Sequence, residues 1–240
     1  MGEKMKSRSL PLLAATLVLG TPAALAAVPA ATLIGPTPYL QAADSPFATL
    51  GSALAIEDFE DGLLNLSGVA TTSPGLVVGA GGFTDSVDGD DGNVDGNGTA
   101  GHSLLAGSNV LAFSFDPIVI GRLPTHVGIV WTDVGTASGS SGNGLGDVLF
   151  EAFDAGGGSL GIVGPALLGN GSANGDSANA TAEDRFFGVI YAGGIARVEI
   201  RMPDSADWEV DHLQYAAVPV PGALALLGAP LAWLARRRRR

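Results

Sequence analysis

The densest set of oxygen ligands in the chain is "DSVDGDDGNVDGNGTAGHS", residues 85–103, with five aspartates inside eleven residues. Asp91, Asn93, Asp95 and Gly96 fit the first half of a calcium loop, D-x-[DN]-x-[DN]-G. In that pattern alternate oxygens wrap a hard cation and glycine permits the turn. The twelfth position holds His102 instead of a bidentate glutamate, so a remote carboxylate must complete a shell of 6 to 8 oxygens. The crowded carboxylates repel one another, and a divalent ion relieves that repulsion. Asp88, Asp90, Asp91, Asn93 and Asp95 are therefore candidate calcium ligands, with a solvated acidic turn as the alternative.

Other chemistries find less support. His102, His126 and His212 are too scattered for a zinc set, and the chain has neither H-E-x-x-H nor G-x-S-x-G nor any cysteine. Gly96-x-Gly98-x-x-Gly101 matches a dinucleotide fingerprint by letters, yet it lies in the acidic loop and opens no βαβ helix. Trp131, Tyr191 and Trp208 are candidates to stack on sugar faces, although their strand-like context favours a place in the core. His126, beside the same strand-like run, reads as a satisfied core or edge residue. An enzyme is not expected, and the runner-up is a carbohydrate-active hydrolase with two carboxylates in a cleft.

The elements that would position these residues are short. From "IEDFEDG" at Ile56 onward, apolar or alternating runs recur between Gly, Asn and Asp clusters: "GLVVG", "NVLAFSFD", "VGIVWTD", "DVLFEAFD", "SLGIVG", "RFFGVIYAG", "IARVEIRM" and "DWEVDHLQY". That spacing predicts an all-β sandwich over residues 56–216. Leu111, Phe113 and Phe115 share one face, and Val198, Ile200 and Met202 alternate with Arg197, Glu199 and Arg201. Residues 28–55 hold four prolines without a period and read as a leader or irregular first segment.

The ends differ from the body. Residues 1–27 combine a basic start, an apolar run and an Ala24-Leu25-Ala26 exit, the plan of a secretory signal peptide. Residues 217–240 hold "VPVPG" (Val218, Pro219, Val220, Pro221 and Gly222), an uncharged stretch to Ala235, and then Arg236, Arg237, Arg238, Arg239 and Arg240. As a helix, Val218 to Ala235 is about 27 Å long, just enough for a bilayer core, and the arginines would stop transfer on the cytoplasmic side. Between these ends only four arginines face 23 acids, a net charge of −19. Such a polyanion repels phosphate backbones and anionic lipid and favours cations, so no nucleic-acid partner is expected.

The tail resembles the PEP-CTERM sorting signal of Gram-negative bacteria, a proline motif followed by an apolar helix and a basic cluster. Val220 stands where the commoner motif has glutamate. The resemblance implies an exosortase as partner, transient residence in the inner membrane, cleavage near the motif, and delivery to the cell surface or exopolysaccharide matrix. A permanent single-span anchor is the alternative. Stretches such as "SVDGDDG", "PTHVGIVWTD" and "DRFFG" also resemble PEP-CTERM proteins without an established activity.

The body is similar to secreted jelly rolls of the galactose-binding, carbohydrate-binding kind, through its acidic opening segment and the closing Trp208, Val210, Asp211, Leu213 and Tyr215. That resemblance implies a structural calcium held by Glu57, Asp58 or Glu60 of the first strand with Asp211 of the last. In a cysteine-free exported domain, such a clip would stabilise the native state by ligand linkage. The expected protein is a non-catalytic matrix or surface component that engages exopolysaccharide.

Overall fold

The computed structural model describes residues 28–71, 75–79, 84, 86–89, 100–134, 147–168, 184–203, 205–206 and 208–218. The signal-peptide region, most of the acidic loop and the tail from Pro219 lie outside the described residues. Among the described residues no helix is long and apolar enough to cross a membrane.

In chain order the strands are β1 (Thr32–Pro38), β2 (Ala55–Glu57), β3 (Val69–Thr71), β4 (Leu76–Val78), β5 (Ser103–Leu105) and β6 (Val110–Phe115). A single helical turn, α1 (Pro117–Ile120), leads to β7 (His126–Val134), β8 (Asp147–Phe153), β9 (Ser159–Leu167), β10 (Arg185–Ile190), β11 (Arg197–Arg201) and β12 (Trp208–Ala216). All pairings are antiparallel and form two sheets. The larger runs β1-β10-β7-β12-β5-β4, with β2 also on β12, and the smaller runs β3-β6-β11-β8-β9. The chain is thus all-β and sandwich-like, with one shared core between the sheets.

The period of two explains that core. Leu111, Phe113 and Phe115 of β6, together with Val198 and Ile200 of β11, meet Val127, Ile129 and Trp131 of β7 and Val210 and Leu213 of β12. The intervening Arg197, Glu199 and Arg201 turn outward, as alternation requires. Trp131 and Trp208 are fully buried, and their indole N–H groups find Met202 Sδ at 3.3 Å and the Ser108 carbonyl at 2.9 Å. Both are core residues and offer no sugar-stacking face. His126 is partly buried, 3.0 Å from the Thr125 hydroxyl and edge-on to Phe47, and burial lowers its pKa.

Residues 28–55, expected as a leader or irregular first segment, are part of the folded body. β1 pairs with β10 at the edge of the larger sheet, and the following residues cross that sheet's outer face. There Tyr39 and Phe47 pack with Phe186, Val130 and Val87 in a second, smaller core. Gly128 makes room for this layer, because a Cβ there would lie 2.2 Å from the Phe186 ring. The prolines that obscured any period do not prevent an edge strand, where a missing N–H costs little.

Candidate functional site

A bulge in β12 builds the polar centre of the molecule. Val210 lies opposite Trp131 and Asp211 opposite Val130, but the next pair is Gln214 with Gly128, so β12 carries an extra residue between them. His212 within the bulge has φ of 42°. Bulges re-aim side chains, and here Asp211, His212 and Gln214 all address the outer side, beneath Tyr39 and Val87.

The resulting hydrogen-bond chain is buried up to Asp88, its exposed end. Ser45 Oγ donates to Gln214 Oε1 at 2.6 Å, and Gln214 Nε2 donates to the Tyr39 hydroxyl at 2.8 Å. That hydroxyl is 2.9 Å from His212 Nδ1, and His212 Nε2 is 3.0 Å from Asp88 Oδ2. Desolvation opposes charge on His212, yet Asp88, Asp211 and Asp58 together hold its pKa above the usual value. The bond from His212 lowers the pKa of Asp88 against a smaller effect of burial. Burial first, then the charge of Asp211, raises that of Tyr39, so the phenol stays neutral and is no nucleophile.

Asp211 is completely buried, and burial pushes its pKa up to about 7 against the opposing influence of His212 and the backbone N–H groups. Its Oδ1 accepts from His212 N at 2.6 Å and its Oδ2 from Val87 N at 3.0 Å. Ser86 Oγ lies 3.2 Å from both Asp211 Oδ2 and Glu60 Oε1, and it accepts from Asp88 N at 3.2 Å. A hydroxyl has one proton to give. Ser86 can therefore donate to only one of the two carboxylates at a time; a proton on Asp211, whose pKa is raised to about 7, would let Asp211 donate to Ser86 and Ser86 to Glu60.

The sequence-derived ligands part company here. Ser86 links Glu60 and Asp211, the first- and last-strand candidates, but Glu60 also accepts from His102 N at 2.6 Å. Glu57 instead anchors its own loop, accepting from Asn65 N at 2.7 Å, Leu66 N at 3.0 Å and Phe59 N at 3.4 Å. Asp58 Oδ1 accepts from Glu60 N at 3.2 Å in a local turn. Of the acidic-loop candidates only Asp88 is described, while Asp90, Asp91, Asn93 and Asp95 lie outside the described residues. Among the described residues no group of three or more His, Asp or Glu is arranged to hold a metal ion.

A second polar set lies on the outer face of the smaller sheet. Glu199 and Glu151 are direct cross-strand partners on β11 and β8. Arg201 reaches Glu151 at 2.6 Å and Glu199 at 3.6 Å, Arg197 pairs with Glu199, and the Arg197 guanidinium sits 3.9 Å over the Phe153 ring. Both glutamates are engaged by arginine, so this face offers fixed planar donors and acceptors in place of a free acid and base.

Ser86, Tyr39 and Gln214 escaped the sequence reading, and His212 entered it only as a discarded zinc ligand. The one available signal was that His212 and Gln214 join Glu209 and Asp211 in a final strand whose remaining residues are apolar; the bulge that joins them to Asp211 leaves no mark in composition. Compared with known proteins, the chain matches no family model, no curated protein and no solved structure.

Proposed function

We infer that this is an exported surface or matrix protein, delivered through its C-terminal signal by an exosortase and serving a structural or carbohydrate-binding role without catalysis. The observation that carries this reading is the junction at the end of β12. The last strand ends at Ala216, Thr125 holds the carbonyls of Ala216 and Val218, and "VPVPG" begins at Val218. Cutting near that motif would release an all-β body with every described strand intact.

Jelly-roll topology of the galactose-binding kind and a stabilising calcium at Asp211, Glu60 and the acidic loop belong to the same proposal. For the ligand, the Arg197–Glu199–Arg201 row with Glu151 and Phe153 is favoured. Its charges are mutually compensated in a strongly acidic body, and polar planar groups beside an aromatic ring suit sugar hydroxyls and a sugar face. Fractionation of the native cell tests the assignment. Recovery at the surface or in the matrix supports it, whereas recovery of the whole chain in the inner membrane favours a permanently tethered envelope protein.

A further inference from the structure

We propose that Thr125, oriented by His126, is a latch that presents the proline motif: it holds the Val218 carbonyl, keeps the end of β12 closed to proteases and confines cutting to bonds beyond Val218. The inference rests on the reading above that the chain is cut near Val218 to Gly222, and it adds how that place is set.

Prolines on both strands end the sheet at this point. β12 and β7 still pair at Ala216 with His126. Continuing that antiparallel register sets Val218 opposite Pro124, which has no N–H to give. Pro219 and Pro221 lack one as well, so neither can donate to a neighbouring strand. A strand end without ladder bonds frays, and frayed peptide bonds are where proteases cut.

Thr125 supplies what the ladder cannot. Its N–H donates to the Ala216 carbonyl at 2.8 Å, and its hydroxyl lies 3.0 Å from the Val218 carbonyl and 3.3 Å from that of Ala216. The residue is itself fixed, being only 5% exposed and accepting from Tyr191 N at 2.9 Å through its own carbonyl.

His126 decides where the hydroxyl proton points. Its Nδ1 is 3.0 Å from Thr125 Oγ1. A threonine hydroxyl has one proton, and a carbonyl can only accept. With a proton on Nδ1, His126 donates to Oγ1 and Oγ1 donates to Val218. With Nδ1 bare, the hydroxyl turns to the ring and the Val218 carbonyl loses this donor. Phe47 stands edge-on to the imidazole at 5.3 Å and holds it in place.

The residues just inside the latch are the ones the body needs. Gln214 links Ser45 to Tyr39, and the Tyr215 hydroxyl donates to the Ser67 carbonyl at 2.9 Å. A cut within β12 would sever these ties, whereas a cut beyond Val218 spares them.

Thr125→Val keeps the side chain's shape and the backbone bond to Ala216 but removes the hydroxyl. Ser114→Ala deletes a hydroxyl bond to the Ala70 carbonyl on the other sheet and controls for general loosening. The full chain with its tail is produced in its native cell and, separately, digested with proteinase K, and the new C-termini are read by mass spectrometry. The expected wild-type ends lie at or beyond Val218 in both settings. Thr125→Val is cut between Gln214 and Val218 about tenfold faster by proteinase K, as loss of one hydrogen bond implies where cutting follows the open population. His126→Phe falls between the two, and Ser114→Ala matches wild type. Wild-type protein cut near the motif in the cell, with Thr125→Val cut at the same bonds and rates in both settings, overturns the inference and leaves the sorting reading standing. An intact Arg240 on extracellular wild-type protein overturns that reading and the inference with it.

Discussion

Replacing Asp211 by asparagine isolates the most unusual group in the fold. Its pKa is raised from an ordinary 3.8 to about 7, with burial as the leading cause. Between those values the folded protein holds a proton that the unfolded chain has released, so stability falls as pH rises. A shift of this size corresponds to about 4 kcal/mol across pH 4 to 8, at about 1.4 kcal/mol per pH unit. His212, also raised, adds the same sign above its ordinary 6.5. The lowered pKa of Asp88 has the opposite sense but acts only on acidification below 3.8. Asparagine keeps the shape and cannot titrate. One of its atoms must turn an N–H toward the Val87 or His212 N–H, a mismatch that costs about 1–3 kcal/mol. Urea unfolding from pH 5 to 8 therefore shows wild type losing stability steeply, while Asp211→Asn starts lower and follows a flatter course, so the two curves converge. Parallel curves would refute the proton assigned to Asp211.

Further perturbations address separate parts of the molecule. Glu57→Ala leaves the N–H groups of Asn65, Leu66 and Phe59 without their carboxylate and lowers stability by about 3 kcal/mol in chemical unfolding, with Glu57→Gln recovering part of the loss. Trp208→Ala removes a fully buried ring and costs about 3–5 kcal/mol, read as a lowered denaturant midpoint. Calcium raises the calorimetric melting temperature and flattens the pH dependence by holding Asp211 ionised; an unchanged melting temperature and no heat of binding would end the calcium proposal. Arg201→Ala weakens retention of the protein in polysaccharide-containing gels while moving stability by less than about 1 kcal/mol, because its carboxylate pairs are partly exposed.

Much of the sheet framework was legible because burial on one face writes a period of two. β6 and β11 show it plainly, and the eight apolar runs each overlap an observed strand. β3 and β5, three residues each, are too short to display a period, and β1 is masked by its prolines. The candidate site was legible in its acids alone. Glu60 and Asp211 do come together, from positions 151 residues apart in sequence. Their connection through Ser86, and the Tyr39–His212–Asp88 chain, depend on the β12 bulge and on a segment that crosses the larger sheet. Neither is a local property of sequence. Glu57, grouped with Glu60 by proximity in the chain, serves its own loop because backbone N–H groups two to nine residues away compete for it more closely.

The central claim is that the body is exported and freed from a tail that begins where β12 ends. Mass spectrometry of the protein recovered from the cell surface or matrix measures this directly. The account predicts a mature C-terminus within or near Val218 to Gly222, with the segment up to Arg240 missing. An intact Arg240 on extracellular protein would contradict it.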